Sequence, residues 1–361
     1  MARKGLYSKT LTLPDGTRKY FYGKTKKEVN EKYEQAKADM KQGRNLKDRS
    51  TFGQFAQLWF DTCKRGKVQH NTEVGILGLI NTNVMPVLSA KEMSKITPMD
   101  CAKVFTEMDR NGKASSTQNR TRNYMAQIFD SAVENGLIVK SPMTKSVRIG
   151  GRKNQKRMAL SPEQVNELLT AVRGGKRNIE YYVRILLGTG LRKGELLGLH
   201  WEDVDMDACE LTVRHNLVYE DGLPVLHSYT KTASGKRTIP FADDTRKAFQ
   251  AMWLQRKGNL VFHEADGSPI SITVEHWLFR HIKQASDEVA ISPHILRHTC
   301  ITNWFDMGLD VKEVQYLAGH ATANMTLNVY TDYLSDKRYE STKAKIQCTT
   351  SVPHPVVQAV L

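Results

Sequence analysis

Hydrophobic and polar positions recur along this chain with two different periods, and the changes of period divide it. Near the start, "SKTLTL" and "RKYFYG" are short β-prone runs on either side of "PDG", three turn-forming residues. "TKKE" (Thr25 to Glu28) then reads as a capping box, and Val29, Tyr33, Ala36 and Met40 make one apolar stripe at helical spacing. A small ββα module over residues 1–47 is predicted. After the polar, basic "KQGRNLKDRS" the period becomes helical. Phe52, Phe55, Leu58 and Trp59 share a helix, Thr97 and Pro98 cap and open another, and "SSTQNRTRNYMAQIFDSAVENGLI" makes a third that ends near Gly136. These elements predict a four- or five-helix domain over 50–147.

Residues 148–157, "RIGGRKNQKR", combine two glycines with five basic side chains and read as a linker. Beyond it, Ser161, Pro162 and Gln164 open a helix, and "YYVRILLGTGLRKGELLGLHW" reads as helix, glycine turn, helix. "ACELTVRHNLVYEDGLPVLHSYTKTASGKRTIPF" predicts a β-meander with turns at "EDG" and "SGK". Helices resume at "DDTRKAFQAMWLQR" and continue to about 345, with "DKRYESTKAKIQ" able to form a last short one; 346–361 reads as a loosely ordered tail. The fold class expected is mainly α with small β elements, an α+β chain.

Charge narrows the partner. Lys and Arg number 53 against 38 Asp and Glu, a formal charge of +15, and the first fifty residues hold 14 basic and 6 acidic side chains. A surplus of this kind calls for a polyanion. No basic helix rich in Trp or Phe accompanies it and no apolar run is long enough to span a bilayer, so nucleic acid is favoured over membrane. No signal peptide is visible behind "MARKGLYSKT". The five cysteines (Cys63, Cys101, Cys209, Cys300, Cys348) form no CxxC pair, which fits a reducing cytoplasm and gives no sign of a disulfide framework or zinc cluster. Arg18 and Lys19 on the N-terminal strands, Arg120 in the third helix of the helical domain, and Arg152, Lys153 and Arg157 in the linker are the candidate DNA contacts.

Candidate chemistry lies in the last 170 residues. In "ISPHILRHTC", Ser292 caps a helix that Pro293 opens, and His294 and Arg297 at i and i+3 project together near its N-terminus, where an anion is already favoured. His298 lies one turn from His294; a zinc pair lacks the Glu of HExxH and a third ligand, so no metal is expected and His298 is expected to pack inward. Arg192 follows the "GTG" turn; with Arg297 it could clamp the non-bridging oxygens of one phosphate. Lys231 is placed near a hairpin tip, from which an ammonium can reach a ligand; Lys236 and Arg237 compete for that role, but are expected rather to contact the DNA backbone. His320 sits in "LAGH", and Tyr330 and Tyr333 follow one helical turn apart, so direction alone does not choose between them.

The ordered set "TGLRKGELLGL", "TKTASGKRTIP", "HILRH", "LAGH" and "VYTDYL" resembles the tyrosine recombinases of the phage and conjugative-transposon integrase type. The resemblance spans nearly the whole chain. It implies an arm-type DNA-binding domain at 1–47, a SAM-like core-binding domain at 50–147, and a catalytic domain at 158–345. By that resemblance the catalytic set is Arg192, Lys231, His294, Arg297, His320 and Tyr330, with Tyr330 the nucleophile and Tyr333 its neighbour. Two departures stand out: "LAGHA" where the family commonly has "LGHS", and Asp332 where a histidine often stands.

A phenol, ordinarily titrating near 10, is a poor nucleophile until its proton is removed or its oxyanion stabilised. Arginines and histidines around a phosphodiester supply charge and hydrogen bonds where negative charge develops. The resemblance implies attack by Tyr330, a 3′-phosphotyrosyl link, protonation of the leaving 5′ oxygen by Lys231, proton removal assisted by His294, and non-bridging oxygens held by Arg192, Arg297 and His320. Glu195 is expected to orient Arg192. No cofactor, metal or ATP is expected. The implied partners are duplex DNA at core and arm sites, three further copies in a tetrameric synapse, an excisionase and a host DNA-bending protein, all in a bacterial cytoplasm. A type IB topoisomerase, a DNA-binding protein with a decayed site and a two-metal nuclease are the rivals, and the six catalytic-type residues argue against decay.

Overall fold

The computed structural model describes residues 6–13, 16–41, 49–152, 159–228, 236–285 and 291–331. Contacts cluster into two compact units, Met1–Gln155 and Lys156–Leu361.

In the first unit, β1 (Tyr7–Thr12) pairs antiparallel with β2 (Arg18–Gly23), Leu11 opposite Lys19 and Thr12 opposite Arg18. Helix α1 (Lys26–Lys41) packs on this ribbon, with Val29, Ala36, Leu11 and Leu13 buried. The predicted capping box is displaced by one residue. Thr25 accepts from the Glu28 N–H at 3.2 Å, but the Glu28 carboxylate takes the N–H of Lys24 (2.9 Å).

The helical part comprises α2 (Phe52–Cys63), α3 (His70–Leu79), α4 (Met85–Leu88), α5 (Pro98–Arg110) and α6 (Ser115–Glu134). Thr51 and Thr97 cap α2 and α5 reciprocally with Gln54 and Asp100, and Gly136 takes the left-handed conformation (φ +69°) just past α6. One of the four residues at helical spacing lies off the buried face. Leu58 is 59% exposed, because the buried face of α2 runs through Phe52, Phe55, Ala56, Trp59 and Phe60, and position 58 falls off that stripe.

The second unit holds α7 (Pro162–Ala171), α8 (Ile179–Thr189), α9 (Lys193–Leu197), β3 (Val204–Asp205), β4 (Glu210–Val213), β5 (His215–Glu220), β6 (Leu223–Ser228) and β7 (Arg237–Pro240). It continues with α10 (Asp243–Trp253), α11 (Ile272–Gln284), α12 (Pro293–Asp306), α13 (Val311–Ala318) and α14 (323–331). Helix α8 lies at the centre, burying Tyr182, Val183, Ile185 and Leu186 against its neighbours, with α10 and α12 packed on it.

The strands do not form one meander. β4 pairs with β3 and β7, while β5 and β6 form a separate hairpin around Asp221 and Gly222, both at positive φ. The reason is burial. β4 and β7 both turn apolar residues inward, with Leu211 opposite Ile239, whereas β6 is largely exposed and carries Pro224. No helix among the described residues is long and apolar enough to cross a membrane.

Candidate active site

Three arginines converge on the C-terminal end of α13. A helix leaves its last carbonyls without intrahelical partners and carries partial negative charge there, so it attracts cations. Here the carbonyl of Leu317 accepts from Nε of Arg237 (2.7 Å), that of Ala318 from Nη2 of Arg297, and that of Gly319 from Nη2 of Arg192. Gly319 ends α13 in the left-handed region (φ +62°), which turns the chain so that His320 follows directly on the three occupied carbonyls.

Local sequence explains how each arginine arrives. Gly190 ends α8 at φ +60°, so the chain reverses and Arg192 stands immediately before α9. The same turn offers its Gly190 carbonyl to Nη1 of Arg297, tying α12 to the α8–α9 corner. Ser292 caps α12 by accepting from the Ile295 N–H (3.3 Å), which places Arg297 one turn in and leaves it 4% exposed. His294 stands exposed in the first turn of the same helix.

Glu195 links two of the cations. Its carboxylate accepts from the backbone N–H of Arg192 (2.8 Å) and from Nη1 of Arg192 (2.7 Å), and also from Nη1 and Nη2 of Arg237 (3.1 and 2.8 Å). The expectation for Arg237 is therefore corrected. It is 2% exposed, its strand position opposite Val213 aims it inward, and it is part of the site's interior rather than a contact for a DNA backbone. The sequence did carry a signal: Arg237 and Ile239 alternate with Thr238 and Pro240, so a strand that buries Ile239 buries position 237 as well. Lys236 is exposed.

The electrostatics follow from burial against pairing. Burial by itself would raise the Glu195 carboxyl, but the Arg237 hydrogen bonds and charge, with Arg192, overcome it and hold the group at about 2. Burial, then the neighbouring Arg192, lowers the Arg297 guanidinium from its ordinary value, with Glu195 opposing; an arginine remains charged at neutral pH regardless. The His320 imidazole is lowered to about 4 by burial and then by Arg297, Arg192, Arg237 and His294. It is neutral at pH 7. Its Nδ1 lies 2.9 Å from the hydroxyl of the fully buried Thr326, which directs Nε2 the opposite way.

A cavity of about 410 Å³ opens beside these groups, lined by Arg192, Lys193, Gly194, Ser292, Pro293, His294 and Arg297. It joins two helix beginnings, α9 and α12, with two guanidiniums and an imidazole. A concave, water-accessible cluster of this kind suits a tetrahedral anion. Lys193 is paired with the Glu275 carboxylate.

The structure thus brings Arg192, His294, Arg297 and His320 together. Tyr330, on α14, is half-buried and rests its ring against Phe305 of α12, centroids 5.0 Å apart. Lys231, Tyr333, Lys153 and Arg157, and the tail beyond, lie outside the described residues. Among the DNA candidates, Arg18, Arg120 and Arg152 are exposed and Lys19 is half-buried. His298 is half-buried, and among the described residues no group of three metal-ligating side chains includes it or His294.

Comparison with known proteins gives a consistent picture. The phage integrase family matches residues 158–336 and the phage integrase central domain matches 52–147. The chain is 26% identical to a XerC-like tyrosine recombinase of Caldanaerobacter subterraneus subsp. tengcongensis, covering 89% of each. It is 28% identical to the transposase from transposon Tn916 of Enterococcus faecalis, over 74% of this chain and 71% of the relative. Among solved structures, the Tn1549 transposon integrase in complex with a circular intermediate DNA superposes with a TM-score of 0.71 at 26% identity, covering 83% of this chain and 99% of that one. A lambda integrase tetramer bound to a Holliday junction shares the fold, with a TM-score of 0.62 at 15% identity over 90% of this chain and 94% of that one. With both integrase domains matched in order and the arginine–histidine cluster assembled in the second, the chain belongs to the phage integrase family of tyrosine recombinases.

Proposed function

We propose that this recombinase integrates and excises a mobile DNA element by cutting and rejoining strands through a 3′-phosphotyrosyl intermediate. The observation that carries the mechanism is the seating of Arg192 and Arg297 on consecutive carbonyls, beside neutral His320 and an anion-sized cavity.

In this reading the scissile phosphate enters the cavity. Arg192 and Arg297 take its non-bridging oxygens, and His320 donates from Nε2. The phenolic oxygen of Tyr330 forms a bond to phosphorus as the bond to the 5′ oxygen breaks. The phenolic proton leaves with help from His294, and Lys231 supplies a proton to the departing 5′ oxygen. Because a phosphodiester is exchanged for a phosphodiester-like aryl ester, rejoining to another strand needs neither ATP nor a metal in this pocket. Burial makes the Arg297 charge costly, and an incoming anion relieves that cost. Arg237 and Glu195 are positioning residues, acting through Arg192 and the Leu317–Gly319 turn.

Duplex DNA is the substrate, with Arg18 and Lys19 assigned to arm sites and Arg120, Arg152, Lys153 and Arg157 to the core site. Four copies form the synapse, with an excisionase and a host DNA-bending protein as candidate accessory factors.

A suicide substrate nicked beside the scissile phosphate tests this. Wild-type protein should accumulate a covalent protein–DNA adduct that Tyr333→Phe retains and Tyr330→Phe loses. An adduct lost only in Tyr333→Phe would reassign the nucleophile, and none at all would remove the mechanism.

A further inference from the structure

Away from the arginine pocket, three ligating side chains meet between the end of α9 and the start of β5. Nδ1 of His200 lies 2.9 Å from Nδ1 of His215, with the rings 4.1 Å apart at 60°, and the same His215 nitrogen lies 3.2 Å from Oδ2 of Asp203. The Asp203 side chain is fully buried, and its other oxygen, Oδ1, accepts from Arg214 at 2.9 Å. None of the three lines the arginine cavity.

Protons alone serve this arrangement poorly. Asp203 is an ion-paired acceptor, so the contact at Oδ2 needs a hydrogen on His215 Nδ1. The contact between the two rings then needs a hydrogen on His200 Nδ1 aimed at a nitrogen that already carries one. If His215 Nδ1 is bare, it accepts from His200, but its lone pair then faces the carboxylate oxygen. No assignment gives each contact its own hydrogen. A cation placed among the three atoms meets all of them as lone pairs.

We propose that His200, Asp203 and His215 bind a divalent transition-metal ion of the zinc class. Around tetrahedral zinc, with ligand bonds of about 2.1 Å, neighbouring donor atoms stand about 3.4 Å apart. The separations of 2.9 and 3.2 Å reach that by opening a few tenths of an ångström. Two imidazoles and a carboxylate suit zinc or cobalt better than calcium or magnesium, which prefer oxygen ligands. Both histidines are only half-buried, so solvent can supply a fourth ligand.

The ion's role is structural. His200 ends the turn after α9, Asp203 closes the single 3₁₀ turn Trp201–Asp203, and His215 opens β5. β5 already presses closely on α9, where a Cβ added at Gly194 would stand 2.6 Å from the Leu217 carbonyl oxygen. A metal at this corner fastens β5 to α9, the helix that Arg192 precedes.

Titration of the chelator-stripped full-length chain with Zn2+, and with Co2+ as a spectroscopic probe, tests this. The expected result is one ion per chain, visible Co2+ absorption bands of imidazole ligation, and a melting midpoint raised by several degrees at saturating Zn2+. His200→Asn and His215→Asn should each weaken binding at least 10-fold and abolish the melting shift, while His298→Ala leaves both intact. Circular dichroism of the variants without metal separates lost binding from lost folding. No ion bound, binding unchanged in His200→Asn and His215→Asn, or binding lost in His298→Ala instead would each overturn the assignment.

Discussion

At the residue scale, Arg237 joins two parts of the site from outside the proposed catalytic set. It holds both oxygens of Glu195 and the Leu317 carbonyl from a position with almost no solvent. Truncating one member of a buried ion pair leaves the other charge uncompensated, at a cost of roughly 3 to 5 kcal/mol. Arg237→Ala should therefore lower the melting midpoint by many degrees. Arg237→Lys should recover part of that stability but little strand cleavage, since an ammonium does not reproduce the two-pronged grip. A lysine variant with full cleavage would show that Glu195 needs only a nearby charge. His320 sets a pH prediction. Its folded-state value of about 4 lies below the ordinary 6.5, so the unfolded chain binds the extra proton first. The stability it contributes is complete above about 6.5 and is lost as pH falls toward 4. Melting midpoints measured across that window should fall with acid in the wild type and fall less in His320→Gln; parallel curves would remove His320 as the cause. Glu195, held at about 2, acts lower, its contribution present above 4.5 and lost toward pH 2.

At the scale of elements, the decisive feature is a helix end rather than a helix. The carbonyls of Leu317, Ala318 and Gly319 become three arginine acceptors only because α13 stops there in the left-handed conformation. An alanine at 319 would pay the left-handed penalty of about 1 to 2 kcal/mol, and its Cβ would stand 2.7 Å from Nη1 of Arg237. Gly319→Ala should thus cost more stability than the backbone penalty alone, and suicide-substrate cleavage should drop with it. Unchanged cleavage would mean that the arginine seats tolerate displacement. The caps of other helices were readable in advance: Thr97 before α5, Ser161 with Gln164 at α7 and Ser292 at α12 make local hydrogen bonds, complete within four residues. The pairing of β4 with β7 was not, because it depends on which strands find apolar cover.

At the scale of the whole molecule, a charge of +15 makes DNA affinity a counterion-release effect. With six or more phosphate contacts, binding should weaken by about 10³-fold or more between 50 and 200 mM salt. Arg18→Ala combined with Arg152→Ala should flatten the slope of log affinity against log salt by about 0.9 per lost contact. An unchanged slope would place both outside the DNA interface. The sequence by itself determined the caps of α5, α7 and α12, the basic balance, the order of motifs and hence the family, because these depend on short-range spacing and composition. It singled out Arg192, His294, Arg297 and His320 separately. Only the tertiary structure decided that Arg237 belongs inside with them, that Leu58 stays out, and that His200, Asp203 and His215 meet. Each of those outcomes depends on which surfaces the chain buries together, and burial is settled by packing between segments far apart in the chain.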